Sequence, residues 1–364
     1  MMAGQVIRFF AGGNTSRGFY SLYDWALAGL DKVFFLLGGP GTGKSTLMKK
    51  IAEKWSRNGY SIELMHSPLE PDAVEGVVIP ELKTAVVSGK ILRHIDVRAP
   101  GVVEEFLDLN SGLQTEKLAP MKDQILGLHD ETANRLKAAY QSFAEALRIH
   151  DDWEKIYIDN IDFEKADELA EKLAGKFFEN KYANKKAHEK RRFLGAATPE
   201  GSVDFVPDIT AGLEKRYFIK GRAGSGKSTM LKKIAAEGLK RGFDAEIYQC
   251  GFDPESLDMV LFRELGFAIF DSTKPHEYFP SREGDEIIEL YGTIIDPDTD
   301  ERHAGEIEEI SRKYRKKINE AVAHLAEAKA ANDRVEEIYQ AAMDFTVADA
   351  FFEKVDAAIR KMAR

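Results

Sequence analysis

Two glycine-rich segments of the same form constrain this chain more than any other feature of its sequence. They read Gly-Gly-Pro-Gly-Thr-Gly-Lys-Ser-Thr at residues 38–46 and Gly-Arg-Ala-Gly-Ser-Gly-Lys-Ser-Thr at residues 221–229. Each has the spacing G-x-x-x-x-G-K-[ST], follows an apolar run typical of a strand and precedes a segment typical of a helix. Glycines allow backbone N–H groups to turn inward, and the helix adds the positive end of its dipole. The sequence therefore predicts two sites that bind polyphosphate.

The similarity between the two halves extends beyond these segments. Lys44 and Lys227 are 183 residues apart (227 − 44), and the same shift brings Phe10 onto Phe193. From about residue 144 onward the shift becomes 182. A repeat of this length indicates one folding unit present twice, so we predict a tandem duplication. The two copies are expected at residues 1–183 and 184–364.

Apolar segments alternate with helical patterns in each copy, which predicts an α/β fold. Each copy is expected to form a mainly parallel sheet with helices on both faces, so that its ligand lies at the carboxyl ends of the strands. A short helix is expected after the first strand, and another helix before the last one. Besides the strand that precedes each loop, the expected strands are residues 6–10, 62–65 and 84–87 in copy one and 192–195, 245–248 and 267–270 in copy two.

The last third of each copy has a different pattern. Apolar residues recur at spacings of three and four, as in Leu136, Tyr140 and Phe143, with charged residues on the other faces. This pattern predicts amphipathic helices, at about residues 115–183 and 300–364. We expect a helical hairpin inserted in or appended to each domain. It either packs against its neighbour or serves as a lid over the site or as an arm that binds a protein partner.

The segment between the copies leaves the strand pairing open. The basic run at residues 181–192 is either a solvated connector or a patch that contacts anions. The strand that follows it, at residues 192–195, could complete either sheet. We therefore hypothesise that the copies exchange or share edge strands.

The overall composition excludes several classes of protein. A hydrophobic fraction of 44% over 364 residues indicates a globular chain long enough for two domains. A formal net charge of −10 argues against binding nucleic acid, which requires a basic face. Cys250 is the only cysteine, so a reducing compartment is the simple interpretation. Because the sequence has neither a signal-like segment nor an apolar run of membrane-spanning length, we expect a cytoplasmic protein without membrane contact.

Each loop residue has an expected role in binding a nucleoside triphosphate. Lys44 and Lys227 are expected to reach the β- and γ-phosphates and to take part in catalysis, while Ser45 and Ser228 each provide one ligand to Mg²⁺. The threonines that end the loops are expected near the α-phosphate. The remaining predicted nucleotide-binding residues are Gly38, Gly39, Pro40, Gly41, Thr42, Gly43 and Thr46 in copy one and Gly221, Arg222, Ala223, Gly224, Ser225, Gly226 and Thr229 in copy two.

Copy two also has a carboxylate where such a site needs one to anchor Mg²⁺. Four apolar residues lead to Asp271 at the expected end of a strand, whereas the equivalent residue of copy one is Ser88, which carries no charge. We expect Asp271 to act on the metal side of the site, the alternative being an aspartate that only forms a turn. Copy two is therefore expected to be the more active one.

Three further residues of copy two are candidates for proton transfer or phosphate sensing. Asp253 is expected to activate a water molecule or another acceptor. Glu264 is either a water-positioning acid or a solvated helix end, and His276 is either a γ-phosphate sensor or acid–base group or a packed histidine. Their counterparts in copy one are Glu70, Glu81 and His94. The candidates for stabilising charge on a transferred phosphate are Arg98, Arg222 and Arg282.

By its two loops the chain resembles the P-loop NTPases. The tandem arrangement, the segment Phe-Phe-Ala-Gly-Gly-Asn-Thr at residues 9–15 and the segment Ile-Pro-Glu-Leu at residues 79–82 resemble a bacterial family described as ATPases or nucleotide kinase-like proteins. The resemblance implies two tandem P-loop NTPase domains that bind ATP with Mg²⁺. It implies little about an acceptor.

Three functions are compatible with these features. The first is Mg²⁺-dependent ATP hydrolysis, with copy two more active than copy one and with binding at one site felt at the other. The second is a kinase-like phosphotransferase that acts on a nucleoside, a nucleotide or another small acceptor and needs a lid that carries arginines. The third is a nucleotide-dependent scaffold whose helical arms bind a protein partner with little turnover.

Overall fold

The computed structural model describes residues 3–363 of the chain. The strands of the first half are β1 (Val6–Phe10), β2 (Gly12–Thr15), β3 (Gly18–Ser21), β4 (Lys32–Leu37), β5 (Ile62–His66), β6 (Val74–Ile79), β7 (Thr84–Ser88) and β8 (Glu104–Asp108). Its helices are α1 (Tyr23–Leu27), α2 (Lys44–Arg57), α3 (Thr115–Leu118), α4 (Lys122–Ile158) and α5 (Phe163–Phe178).

The second half repeats this succession of elements. Its strands are β9 (Glu189–Phe193), β10 (Gly195–Thr198), β11 (Gly201–Asp204), β12 (Lys215–Lys220), β13 (Ala245–Gln249), β14 (Leu257–Phe262), β15 (Phe267–Asp271) and β16 (Asp285–Glu289). Its helices are α6 (Val206–Ile209), α7 (Lys227–Lys240), α8 (Thr299–Arg302), α9 (Ala304–Ala341) and α10 (Thr346–Met362).

A sheet of 12 strands runs through both halves in the order β16-β12-β15-β14-β13-β9-β1-β5-β6-β7-β4-β8. The strand before each glycine-rich segment, β4 or β12, has parallel neighbours on both sides. The sheet is thus mostly parallel within each half, as an α/β fold requires for a ligand site at the carboxyl ends of the strands. The hairpins β2–β3 and β10–β11 lie outside this sheet, and the short helices α1 and α6 follow them.

The helix expected before the last predicted strand of each half is instead an antiparallel strand, so that prediction was wrong. β6 lies between β5 and β7, and β14 lies between β13 and β15, and all four pairings are antiparallel. All six residues of each strand are buried, and a run buried on both faces lacks the periodicity that separates a strand from a helix. The edge strands β8 and β16 were also not predicted, because charged residues interrupt their apolar ones.

The two halves share the sheet through β1 and β9. These strands are antiparallel and pair at Phe10 and Phe193, while β9 also runs parallel to β13 over all five of its residues. The strand β9, which follows the segment between the halves, therefore belongs to one continuous sheet. β1 and β9 each pair with a strand of their own half and with each other, so the halves share a sheet and do not exchange these strands.

Alternate side chains of the strands pack against the two layers that cover the sheet. In β4, Phe34 and Leu36 pack against α2 on one face, whereas Val33 and Phe35 pack near Tyr23 of α1 on the other. The strand is therefore buried on both faces, and its carboxyl end is held in place at the start of the first glycine-rich segment.

The long helices α4 and α9 lie along each other in antiparallel orientation. Arg135 lies 3.0 Å from Glu327, and Glu145 lies 2.7 Å from Lys317. Phe143, from the apolar stripe expected on α4, is buried against α9. The stripe thus packs against the other half and not against α5, which corrects the helical hairpin predicted within each copy. Within residues 3–363, no helix combines the length and the apolar character needed to cross a bilayer.

The shorter helices α5 and α10 also pack against the opposite half. Leu173 and Phe177 of α5 join the core formed around α7 and β12 in the second half. Val355 and Ile359 of α10 join the core formed around α2 and β4 in the first half. A boundary between residues 183 and 184 therefore separates the strands of the halves but not their cores, because each half is completed by helices of the other.

Candidate functional site

The two glycine-rich segments connect β4 to α2 and β12 to α7. Gly43 and Gly226, directly before Lys44 and Lys227, have φ values of 88° and 79°, a left-handed conformation that favours glycine. Because the helices begin at the two lysines, their unpaired N–H groups and the positive ends of their dipoles lie at the loops. Both loops can therefore bind an anion at the carboxyl edge of the sheet.

The lysines of the two loops make different contacts. Lys44 Nζ donates to the carbonyl oxygen of Gly38 at 2.9 Å and to Thr42 Oγ1 at 3.2 Å. Lys227 Nζ likewise donates to a carbonyl oxygen of its own loop, that of Arg222, at 2.7 Å, and it also lies 3.5 Å from Asp271 Oδ2. Both ammonium groups are thus bonded to oxygens of their own loop, and that of the second loop has a neighbouring carboxylate in addition.

The serine after each lysine accepts a hydrogen bond from the neighbouring antiparallel strand. Ser45 Oγ accepts from the N–H of Val74 at 3.0 Å, and Ser228 Oγ accepts from the N–H of Leu257 at 2.9 Å. The next residues of these strands are buried acids, Glu75 and Asp258. The 183-residue shift already pairs these two acids in the sequence, but it indicates no role for them, because helices are expected where β6 and β14 lie. Their position next to the residues that bond the loop serines becomes visible only in the structure.

Two carboxylic acids lie in the second site together with Ser228. Asp271 ends β15, next to β12, and its Oδ1 accepts from the N–H and the Oγ1 of Thr273 at 3.0 and 2.7 Å. Burial and the negative charge of Asp271 raise the pKa of Asp258 to about 6. Hydroxyl and carboxylate oxygens are the ligands that Mg²⁺ prefers. Ser228, Asp258 and Asp271 thus fit as the residues that would hold this ion.

The first site has a different set of charges. Ser88 stands at the position equivalent to Asp271, at the end of β7. Tyr23 donates its hydroxyl to Glu75, and Lys90 Nζ lies 3.5 Å from Glu75 Oε1. The carboxylate of this site is therefore already engaged by a phenol and an ammonium group.

His276 lies among the acids of the second site. Its Nδ1 is 2.7 Å from Asp204 Oδ2, and the Tyr278 hydroxyl donates to Asp204 Oδ1 at 2.6 Å. Burial alone would lower the pKa of His276, but Asp204 and Asp258 raise it above its usual value. His94 of the first half instead stacks on the Phe19 ring, and burial lowers its pKa. The two histidines therefore favour opposite protonation states.

Asp253 and Glu264 lie in different places relative to the second loop. Asp253, after β13, accepts from Ser256 Oγ at 3.2 Å and from Arg17 Nε at 3.4 Å. Glu264 precedes β15 and accepts from Lys185 Nζ at 2.5 Å. It therefore lies at the amino end of β15, whereas Asp271 lies at the carboxyl end of the same strand. A strand of five residues is about 16 Å long. The structure does not bring Glu264 to the site, which corrects its prediction as a catalytic residue, and Glu81 occupies the same position in the first half.

The three candidate arginines do not converge on the loops. Arg222 donates to Asp300 Oδ2 at 2.8 Å and lies 4.6 Å from the centre of the Tyr291 ring. Arg282 donates to the Thr210 carbonyl oxygen at 2.9 Å, near the amino end of β16. Arg98 precedes the edge strand β8, and its backbone N–H donates to Glu104 at 3.3 Å. Of the three, only Arg222 lies in a phosphate loop.

Each loop is covered by a long helix from the opposite half. A Cβ atom at Gly41 would lie 2.5 Å from the Glu336 carbonyl oxygen of α9, and a Cβ atom at Gly224 would lie 2.5 Å from the Glu154 carbonyl oxygen of α4. Only glycine permits this close approach. The 182-residue shift pairs Glu154 with Glu336, but nothing local in the sequence predicts that they cover the loop of the other half.

Half-buried acids also lie beside the first loop. Asn332 of α9 donates to Glu70 Oε1 at 2.6 Å. Burial raises the pKa values of Glu70 and Glu336, and the Glu70 carboxylate adds to the shift of Glu336. Burial lowers the pKa of Lys44 to about 8, although the Glu336 carboxylate opposes this shift. The mouth of the loop thus combines one lysine whose pKa is lowered with two acids whose pKa values are raised.

Comparison with protein families gives one match. The family model of the AAA domain (dynein-related subfamily) matches residues 33–164, which begin in β4 and include the first loop, α2 and α4. The match supports a P-loop NTPase with an α/β fold that binds a nucleoside triphosphate. It covers less than half of the chain and does not reach the second loop. We find no significant match to a curated protein or to a solved structure.

Proposed function

We propose that this chain is a tandem duplication of a P-loop domain that binds ATP at both loops and hydrolyses it with Mg²⁺, faster at the second loop than at the first. The observation that carries the proposal is the group formed by Lys227, Ser228 and Asp271, with 3.5 Å between the ammonium and carboxylate groups. The buried acid Asp258 completes this group. It supplies a cation for the phosphates and oxygen ligands for a metal at one edge of the sheet.

The residues of the second site have different proposed roles. Lys227 releases Asp271 to contact the β- and γ-phosphates, and the N–H groups at the start of α7 bind the phosphate oxygens. Ser228, Asp258 and Asp271 would hold Mg²⁺, which would neutralise charge on the phosphates. Because Asp258 titrates at about pH 6, it is mostly ionised at neutral pH.

In the second site we assign proton transfer to Asp253 and contact with the γ-phosphate to His276. Asp253 remains our candidate for accepting the proton of the attacking water, since its carboxylate lies in a turn at the carboxyl edge of β13. The raised pKa of His276 favours its protonated form. A protonated histidine donates a hydrogen bond to phosphate but cannot serve as a base, so we assign it to sensing or stabilising the γ-phosphate.

We propose that the first site turns over more slowly because it has fewer free carboxylate ligands for a metal. Ser88 provides no charge for a metal, and the Glu75 carboxylate is already bonded to Tyr23 and lies 3.5 Å from Lys90 Nζ. Mg²⁺ would have to compete with both groups. We therefore expect nucleotide to stay bound at this site for longer than at the second.

The covering of each loop by the other half supports coupling between the sites. A nucleotide at the first loop must fit beside Glu336 of α9, and one at the second loop must fit beside Glu154 of α4. Since α4 and α9 are packed along each other, a displacement at one end reaches the other site. We propose that binding at one loop changes affinity at the other in this way.

Hydrolysis is favoured over phosphotransfer by the residues that cover the loops. The residues of α4 and α9 nearest to the loop glycines are Glu154, Glu336, Tyr339 and Gln340, none of which is cationic, whereas transfer to an acceptor needs cationic groups over the phosphates. An anionic acceptor such as a nucleoside monophosphate would be repelled by these acids. A scaffold function that relies on the helical arms remains an outcome of the test below.

The test is phosphate release from Mg-ATP by the full chain without any acceptor. Release without acceptor supports hydrolysis. Release or transfer that requires an added nucleoside or nucleoside monophosphate supports the phosphotransferase. Calorimetric binding of Mg-ATP with no turnover supports the scaffold, and absence of both binding and turnover would refute the proposal.

A further inference from the structure

A cavity of about 340 Å³ opens beside the first loop and is closed on its other side by α10 from the second half. From the loop and α2 it is lined by Thr46, Leu47 and Lys50, and from the other half by Phe345, Asp349 and Phe352. Its volume lies in the range of small-molecule sites. The phosphate-binding groups described above do not use this space.

The cavity continues directly from the phosphate loop. Gly43, the last residue before Lys44, lines it, and a Cβ atom at that glycine would lie 3.4 Å from two carbon atoms of the Phe345 ring. Thr46, at the end of the loop where the α-phosphate is expected, lines it as well. A nucleotide whose phosphates occupy the loop would therefore have its nucleoside at the entrance of this cavity.

Two aromatic rings give the cavity its chemical character. Phe345 is 44% exposed, so part of its ring is open to solvent within the described chain. Phe352 is half-buried and lies about two helical turns further along α10. Aromatic rings next to a phosphate site are suited to stack on a nucleobase, since every base has a flat π-face.

A polar pair closes the rim of the cavity. Lys50 Nζ donates to Asp349 Oδ1 at 2.9 Å, which links α2 to α10. This exposed pair is one contact between the helix that begins at the phosphate loop and the helix that carries the rings. Because α10 provides one wall, the cavity exists only when the arm from the second half is docked.

We propose that this cavity is the nucleobase site of the first loop, with the base of ATP stacked on Phe345 and Phe352. The proposal rests on the proposed binding of ATP at residues 38–46 and adds the residues that hold its base. It also means that the nucleotide touches both halves of the chain, because the phosphates contact one half and the base contacts the other.

The second loop offers only part of this arrangement. A shift of 182 places Phe163 at the position of Phe345, and Phe163 is 62% exposed. The ion pair of Lys50 is also matched there, since Lys233 Nζ lies 2.5 Å from Asp167. At the position of Phe352, however, stands Ala170, which is buried in the core. With one ring instead of two, the second site is expected to hold the base more weakly.

The experiment uses the full chain with Lys227→Ala, which weakens phosphate binding at the second loop so that binding at the first loop is measured. The measurement is calorimetry. The two probes are Mg-ATP and Mg-tripolyphosphate, which has the phosphates without a base. Phe345→Ala and Phe352→Ala should each weaken Mg-ATP binding about 10- to 100-fold, the usual loss for a ring that stacks on a base. Tripolyphosphate binding should stay within about twofold.

Two further variants keep the test decisive. Phe345→Leu retains apolar bulk for folding but removes the aromatic face, and it should also weaken Mg-ATP selectively. Phe279→Ala removes another exposed ring, 62% exposed, that does not line the cavity, and it should leave the binding of both probes unaffected.

Each other outcome has a defined meaning. If the parent binds Mg-ATP and the phenylalanine variants bind it equally well, the base lies elsewhere and this inference is overturned while ATP binding stands. If the variants lose ATP and tripolyphosphate together, the rings shape the loop and do not bind a base, which also overturns it. If the parent binds neither probe, the proposed binding of ATP at the first loop fails as well.

Discussion

The Nη2 atom of Arg192 lies 2.6 Å from a carboxylate oxygen of Glu63, across the line where the two halves of the sheet meet. Arg192 is 2% exposed, its guanidinium lies 4.2 Å from the centre of the Phe9 ring, and its Nη1 lies 3.6 Å from Glu246. The shift of 183 pairs Glu63 with Glu246 and Phe9 with Arg192 itself. One buried cation thus serves equivalent acids from both halves, at the position where the repeat differs.

Arg192→Ala should destabilise the whole chain. The substitution removes the buried cation that Glu63 and Glu246 share and leaves them only the more exposed Lys190 and Arg263. Removing one partner of a buried ion pair costs about 3–5 kcal/mol. Urea unfolding of the two variants Arg192→Ala and Arg191→Ala provides the measurement. Arg191 lies on the same strand but pairs at the surface with Glu189, so its loss should cost about 0–1 kcal/mol. Equal losses of unfolding free energy in the two variants would show that the contact between the two halves of the sheet does not depend on the buried cation.

The same cluster predicts a loss of stability in acid. Burial alone would raise the pKa of Glu63, but Arg192 and Lys190 hold it at about 2, below the ordinary value of 4.5. A carboxyl group with a lowered pKa stabilises the fold above its unfolded value, and this contribution is lost as the pH falls toward the folded value. Wild-type stability should therefore fall between about pH 4.5 and pH 2. Glu63→Gln should flatten the curve of unfolding free energy against pH over this interval, and an unchanged slope would contradict the assignment.

The parts of the fold that sequence predicts well are those with a local signature. The loops at residues 38–46 and 221–229 carry their own glycine spacing, and an apolar run precedes each of them, at residues 33–37 and 217–219. Asp271 is found at the strand end where it was expected. Such features depend on residues close together in the chain, so a pattern in the sequence is enough to predict them.

The parts that escape prediction depend on burial and on long-range packing. β6 and β14 are buried on both faces, so their sequences have no strand period. The repeat pairs the acids at their amino ends, Glu75 and Asp258, but it does not indicate that they lie beside the loops. An amphipathic stripe such as that of α4 shows that the helix packs, but it does not identify the partner. The exchange of α5 and α10 between the halves therefore becomes visible only in the structure.

Lys227→Ala should abolish most of the ATP hydrolysis, whereas Lys44→Ala should reduce it less. Lys227 belongs to the site with two acids, and the loss of one preorganised cation at a transferred phosphate costs about 100- to 1000-fold in turnover. For Lys44→Ala we expect a loss below about tenfold, caused by weaker coupling and not by lost chemistry. Phosphate release from Mg-ATP is the measurement. Glu264→Gln, at the opposite edge of the sheet, is the control and should match wild type. Equal losses in the two lysine variants would contradict the proposed asymmetry.

Asp258→Asn and Asp271→Asn should raise the Mg²⁺ concentration needed for half-maximal hydrolysis before they change nucleotide binding itself. Both substitutions keep the shape of the side chain and remove a charged oxygen ligand. The pKa of Asp258 is raised to about 6 by burial and by Asp271, so protons compete with Mg²⁺ for this carboxylate as the pH falls below about 6. The wild-type requirement for Mg²⁺ should therefore increase from pH 7 to pH 5, and in Asp258→Asn it should be high and nearly independent of pH. Titration of phosphate release with Mg²⁺ at several pH values measures this directly. If both variants keep the wild-type requirement for Mg²⁺, neither acid holds the metal, and the charge at the end of β15 serves only to position Lys227.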